Sequence, residues 1–312
     1  SVSSDLLQAI RAQSKISISQ AISLIENDSD AGSKLLSTLY KYTGNAYRIG
    51  ITGPPGAGKS CLTDNLISAF RKEDKRVAVI AVDPTSPFSG GAVLGDRIRM
   101  KEHHSDPHVF VRSMATRGGK GGLAMRAEEV GEIFDAARFD IIIYETVGVG
   151  QIELDIIQAA DSVIVVLVPE SGDEVQMLKA GLMEIGSIFV INKADRSGAN
   201  KLMITLKNLL SIMTIDDDSW QPEVIHTIAT EGKGTADMLR TLRSHQSYNE
   251  SKGIQRQKFE DRYHRHVNAF INMEFQQKFW NEEKKALFHS EVQKPKQDRM
   301  SPYFLAKKLL EI

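Results

Sequence analysis

The sequence predicts an α/β fold, with a mainly parallel central sheet flanked by helices and helical extensions at both chain ends. Seven short apolar or β-branched runs (YRIGIT, VAVIAV, VFV, FDIIIYE, SVIVVLV, SIFVIN and EVIHTIA) are separated by longer amphipathic stretches, the alternation of strand–helix–strand units. Several of these runs are apolar throughout, as strands covered on both faces are. Before Tyr47 and after Ser251 the pattern changes to apolar positions three and four apart, which is helical spacing.

Residues 1–45 form an N-terminal helical extension of two or three small helices, carrying Leu6, Ile10, Ile16, Ile18, Ala21, Ile22, Ile25, Leu35, Leu36 and Leu39. The sheet domain occupies 46–250. A helical arm, 251–312, follows, with Phe259, Tyr263, Val267, Phe270, Glu274 and Gln277 three or four apart, a stripe weakened by its two polar last entries, and a linker from Gln293 to Arg299. Ser301 is placed to cap a last helix and Pro302 to open it.

At 312 residues, 41% hydrophobic and 25% charged, the chain has the composition of an ordinary globular protein. Its 39 Lys and Arg nearly cancel its 40 Asp and Glu, so no overall field draws nucleic acid or an anionic membrane. No apolar run reaches the roughly 18 residues of a membrane span. The single cysteine, Cys61, excludes an intramolecular disulfide and a thiolate cluster. A reducing compartment is expected: the cytoplasm of a bacterium, or the mitochondrial matrix if the source is eukaryotic.

Gly53-Pro54-Pro55-Gly56-Ala57-Gly58-Lys59-Ser60 fits G-x-x-x-x-G-K-S/T between the strand YRIGIT and an amphipathic helix, which makes the sheet domain a P-loop NTPase. The glycines let backbone N–H groups wrap a phosphate, the helix N-terminus adds partial positive charge, and Lys59 adds a full one. Ser60 is the expected Mg²⁺ ligand. Cys61 completes the phosphate-binding set as a small residue of the helix rather than a nucleophile.

Asn192-Lys193-Ala194-Asp195 follows the strand SIFVIN. An N-K-x-D turn at a strand end lets the Asp195 carboxylate accept both the ring N–H and the exocyclic amine of guanine, a donor pair adenine lacks. Asn192 would brace the loop and contact the base, and the Lys193 stem would lie along the purine. His226 to Thr230, including Ala229, is where a further base-contacting loop is expected. The ligands so implied are GTP and GDP with Mg²⁺.

After FDIIIYE, Glu145-Thr146-Val147-Gly148 stands where P-loop GTPases carry an acidic residue with glycine three positions on in this chain. Glu145 should hold Mg²⁺ through water and the Gly148 N–H should sense the γ-phosphate; a glutamate that only caps a helix is the alternative. Gln151 lies two residues beyond the usual water-orienting position, so slow intrinsic hydrolysis is expected. Asp83 ends VAVIAV and begins a loop through Gly91 that leads to Gly95-Asp96-Arg97. Asp83 and Asp96 suit Mg²⁺ and switch roles, or a turn start and a helix cap respectively. His103, His104 and His108 lack acidic or thiol partners at ligand spacing, and the basic glycine-rich loop Arg117 to Gly122 lacks the P-loop pattern.

Together, Gly53 to Ser60, AVDPTSPFSGGAVLGDRIRM, ETVGVGQ, SGDEVQMLKAGLMEI and NKAD resemble the MeaB family, the methylmalonyl-CoA mutase-associated SIMIBI-class GTPases, also known as ArgK or LAO/AO transport kinases. The likeness runs from about Tyr47 to Leu239. It implies a GTP-hydrolysing chaperone of an adenosylcobalamin-dependent methylmalonyl-CoA mutase or related acyl-CoA mutase, gating cofactor loading and protecting or reactivating the enzyme. It implies Asp83, Asp96 and Glu145 as the Mg²⁺ and switch carboxylates. A third switch from Ser171 to Lys179, with Asp173, Glu174 and Lys179, would join Gln151 in signalling to the partner. A homodimer through the helical arms is also implied, although their stripe equally suits packing on the chain's own domain. Glu170-Ser171 departs from the small, glycine-rich start usual in that switch. Two other functions compare poorly: a kinase for a periplasmic amino-acid transport system needs an acceptor site and a base, and a nickel-insertion GTPase typically carries Cys or His motifs.

Overall fold

In the computed structural model the described residues are 4–27, 30–87, 103, 105–116, 122–170, 181–213 and 218–311. Seven strands, β1 (Tyr47–Thr52), β2 (Val77–Pro87), β3 (Val109–Thr116), β4 (Ile141–Thr146), β5 (Ser162–Leu167), β6 (Ile188–Ile191) and β7 (Glu223–His226), form one sheet in the order β3-β2-β4-β1-β5-β6-β7. Every neighbouring pair is parallel. The predicted class is therefore observed, and the order reverses around β1, where ligands of open parallel sheets bind at the carboxyl ends of the strands.

The continuous apolar runs are explained by two cores. Side chains alternate across a strand. Ala78, Ile80, Val82, Ile142, Tyr144, Val163 and Val165 pack into one core, and Ile49, Ile51, Val77, Val79, Ile141, Ile143, Ile164 and Val166 into the other. The first is covered by α2 (Lys15–Glu26), α3 (Asp30–Leu39), α5 (Gly122–Ala136), α6 (Gln151–Gln158) and α8 (Ala199–Met213), and the second by α4 (Lys59–Lys72) and α9 (Thr235–Ser251). With α1 (Ser4–Arg11), α2 and α3 form the expected N-terminal helices, burying Ile10, Ile18, Ile22, Ile25, Leu35 and Leu39; Ile16, expected on the same stripe, is 73% exposed. A single turn, α7 (Leu182–Ile185), leads into β6.

Strand β2 runs further than its sequence suggests. Local pattern ends it at Asp83, yet it continues to Pro87 beside β3, with its register shifted between Asp83 and Pro87. Prolines at 84 and 87 lack the N–H a regular ladder needs, so the extension persists only as an irregular pairing.

The chain divides into two compact units, Ser1–Glu260 and Asp261–Ile312. The 26-residue α10 (Ile254–Phe279) begins in the first, and α11 (Glu282–Gln293) and α12 (Pro302–Glu311) complete the second. Within the second unit, Trp280 packs edge-on against Phe279 and Phe288, the Lys284 ammonium lies 4.0 Å from the centre of the Phe279 ring, and Leu305 and Leu309 are buried. The Ser301 hydroxyl accepts the Phe304 N–H at 3.3 Å, the expected cap. Among the described residues no helix is long and apolar enough to cross a membrane.

Candidate nucleotide site

The loop between β1 and α4 is built on conformations only glycine accepts readily. Gly53 has φ +142°, and a Cβ there would stand 2.1 Å from the Val166 carbonyl oxygen; Gly58 has φ +91°, and a Cβ would stand 2.2 Å from Asn192 Nδ2. Lys59, the first residue of α4, is 6% exposed. Its ammonium donates to the carbonyls of Gly53 at 2.8 Å, Pro54 at 2.9 Å and Val147 at 3.1 Å. These three carbonyl bonds can be exchanged for bonds to phosphate oxygens.

The next side chain, Ser60, donates its hydroxyl to Glu145 Oε1 at 2.5 Å. Glu145 lies near the end of β4 and is 5% exposed, as is Asp83 on the adjacent β2; the Val147 N–H donates to the Val82 carbonyl beside Asp83 at 3.3 Å. Beyond Glu145, the Thr146 hydroxyl donates to the Gly148 carbonyl at 3.1 Å, and the Thr52 hydroxyl does so at 3.4 Å. The loop carrying Gly148 is thereby held against the end of β1.

Asn192 joins the phosphate loop to the loops after β6 and β7. Its Nδ2 donates to the Ala57 carbonyl at 2.9 Å, while its Oδ1 accepts the Thr227 hydroxyl and the Ala229 N–H, each at 3.0 Å. Lys193, at φ +56°, donates its ammonium to the Gly56 carbonyl at 2.9 Å. Asp195 is exposed one step further on. Ala229 is buried, and its carbonyl accepts the Asn65 side-chain amide from α4 at 2.9 Å. Sequence reasoning missed Asn65 because its partner is 164 positions away and nothing local marks it.

The remaining sequence-derived positions divide plainly. Pro54, Pro55, Gly56 and Ala57 form the turn itself, and Cys61 is half-buried in α4 with its thiol pKa raised by burial and then by Asp64. Gln151 opens α6 as an exposed side chain and donates to Asp155 Oδ1 at 2.9 Å. Asp96, Asp173, Glu174 and Lys179 lie outside the described residues. Just before that last segment, Glu170 accepts from Arg196, the residue after Asp195, at 2.8 Å; this bond holds the Glu170 carboxyl below its ordinary range. His103 pairs with Asp64 at 2.8 Å, and no group of three metal-ligating side chains occurs among the described residues.

The chain is similar to known proteins. A family model described as methylmalonyl Co-A mutase-associated GTPase MeaB matches residues 18–284. A relative from Pyrococcus abyssi is 42% identical over 309 residues, spanning 98% of this chain and 95% of its own. The GTPase ArgK of Escherichia coli is 35% identical over 243 residues, 76% of this chain and 73% of its own. The methylmalonic aciduria type A homolog, mitochondrial, of Mus musculus is 35% identical over 203 residues, 64% of this chain and 49% of its own. Among solved structures, an LAO/AO transport system kinase superposes with a TM-score of 0.73 at 25% identity, covering 98% of this chain and 96% of that one.

Proposed function

The chain belongs to the family of methylmalonyl Co-A mutase-associated GTPases, MeaB, and is a GTPase; from that premise we propose that it is the chaperone of an adenosylcobalamin-dependent acyl-CoA mutase, its GTP turnover gating cofactor loading and protecting or reactivating the enzyme. The observation that supports a nucleotide-driven switch is Asn192, whose three hydrogen bonds tie the phosphate loop to both base-side loops. Methylmalonyl-CoA mutase is the proposed client, matching the family description and the name of the mouse relative.

In this reading the P-loop N–H groups and Lys59 take the β- and γ-phosphates, Gly148 offers its N–H to the γ-phosphate, and Asp195 accepts the two guanine donors with Lys193 along the ring. Ser60, Glu145 and Asp83 are hard oxygen donors. The 2.5 Å Ser60–Glu145 contact and the burial of Asp83 on the adjacent strand fit a small divalent cation; Asp96 joins them by the same proposal. Mg²⁺ bound there would neutralise charge developing on the β- and γ-phosphate oxygens. A homodimer is proposed through the C-terminal arm, where Tyr263, Val267, Ile271 and Phe275 recur every four residues along α10 and are all exposed.

Steady-state GTP hydrolysis with and without purified methylmalonyl-CoA mutase, with ATP as control, tests the proposal. Stimulation of a slow, GTP-selective activity is expected. Unchanged hydrolysis without complex formation would send the search to another client.

A further inference from the structure

The side chain nearest in sequence to a water-orienting role, Gln151, is exposed and engaged with Asp155. Two residues further along α6, Glu153 behaves differently. It is only 6% exposed, and its carboxylate is pressed against the backbone of the loop that follows Glu145. A Cβ added to Gly148 would meet Glu153 Oε1 at 3.2 Å, and one added to Gly150 would meet Oε2 at 2.6 Å. Among the described residues it has neither a hydrogen-bond donor nor an ion-pair partner. Its oxygens are not among the fully enclosed side-chain atoms that lack a partner, so they keep access to water, which can donate to them. The same loop places the Val147 carbonyl on the Lys59 ammonium and the Gly148 carbonyl on Thr52 and Thr146, so the carboxylate lies alongside the phosphate cradle.

We propose that Glu153 receives and orients the water that attacks the γ-phosphate. This rests on the reading above that the γ-phosphate lies between Lys59 and Gly148. The water oxygen forms a bond to the γ-phosphorus, and the bond from that phosphorus to the β,γ-bridging oxygen breaks, its electron pair leaving on GDP. One water proton passes to the Glu153 carboxylate and from there to the released phosphate or to solvent, which regenerates the carboxylate. Nothing further is consumed. The competing role is structural: Glu153 is the third residue of α6, where an acidic side chain favours the helix N-terminus whatever the chemistry.

Glu153→Gln separates the two roles, because glutamine keeps the length and capping ability of the side chain but cannot take the proton. The measurement is single-turnover hydrolysis of radiolabelled Mg-GTP by the full chain, expressed per bound nucleotide, beside the affinity for a fluorescent GTP analogue and the melting temperature. A loss of about a hundredfold in hydrolysis is expected, with affinity and melting unchanged; a loss of tenfold or more supports the proposal, and a smaller one overturns it. Should E153Q fail to fold, E153D carries the test: the same tenfold loss per bound nucleotide supports the assignment, and an unchanged rate overturns it. Lys59→Ala in the binding assay keeps the two readings apart, since retained affinity would remove the phosphate placement, whereas an active E153Q would remove only the role of Glu153.

Discussion

Two buried cations, one at each end of β1, are held in opposite ways. Lys59, at the carboxyl end, sits on main-chain carbonyls. Arg48, near the amino end and fully buried, donates to Glu132 at 3.0 Å and Tyr144 Oη at 3.2 Å, with Asp135 at 3.5 Å. Burial works against the Arg48 charge, but Glu132, Tyr144 and Asp135 outweigh it and hold the guanidinium firmly protonated. Asp135 also accepts the N–H groups of Gly44, Asn45 and Ala46. A cation paired with carboxylates in the interior is committed to the fold, while the main-chain carbonyl bonds of Lys59 can be exchanged for bonds to an anion's oxygens. The polar groups at the amino end fix the scaffold, and those at the carboxyl end are set up for exchange.

The sharpest way to break this contrast is to remove each cation. Lys59→Ala should lower GTP affinity by about a thousandfold, roughly 4 kcal/mol for the removal of two charge-assisted hydrogen bonds to phosphate, with the melting temperature nearly unchanged; calorimetric titration reads the first and thermal unfolding the second. Arg48→Met should do the reverse, costing about 3 kcal/mol in chemical denaturation because Asp135 keeps only its three backbone N–H donors and the half-buried Glu132 loses its cation, while the remaining folded protein binds GTP normally. If both variants lost affinity equally, the division between the two ends would fail.

Acid provides a third test, confined to the amino end. There the Tyr47 hydroxyl, the Ser162 hydroxyl and His245 Nδ1 form a short hydrogen-bonded chain under Trp220. Burial, and then the Lys258 charge, depresses the His245 pKa from its ordinary 6.5 to about 4. The unfolded chain therefore takes up this proton first as the pH falls. The contribution is complete above pH 6.5 and disappears on descending to about 4, worth at most about 3 kcal/mol. Denaturation midpoints measured across that window should fall in the parent and flatten in His245→Gln; parallel curves would show that the imidazole is not the group responsible.

The smallest expected effect concerns the base. Asp195→Asn should reduce the preference for GTP over ATP by roughly 10- to 100-fold, or 1.4–2.7 kcal/mol, in competition binding. Unchanged selectivity would move guanine recognition away from the exposed loop after β6.

How much of this was legible in the chain depends on how far apart the partners lie. Gly53 to Ser60 could be read directly, because the chemistry and the conformational demand sit within eight consecutive positions. The parallel sheet followed from runs apolar on both faces. Arg48, by contrast, interrupts YRIGIT as a lone charge, and its partners at 132, 135 and 144 come from α5 and β4. Glu153 was hidden for another reason: an acidic residue in a first helical turn already has an ordinary explanation, and only its burial against Gly148 and Gly150 distinguishes it. The extension of β2 past Pro84 ran against local propensity, which the pairing with β3 overrides.

Asn192 has a consequence for how the nucleotide is held. Because one side chain fixes the Ala57, Thr227 and Ala229 backbone and hydroxyl positions together, the two halves of the ligand would, in the proposed binding mode, meet a single preformed surface. Guanosine and pyrophosphate offered as separate molecules would each lose their own freedom of motion on binding. Joined as one nucleotide they lose it once, so the intact ligand gains an effective concentration that neither fragment has.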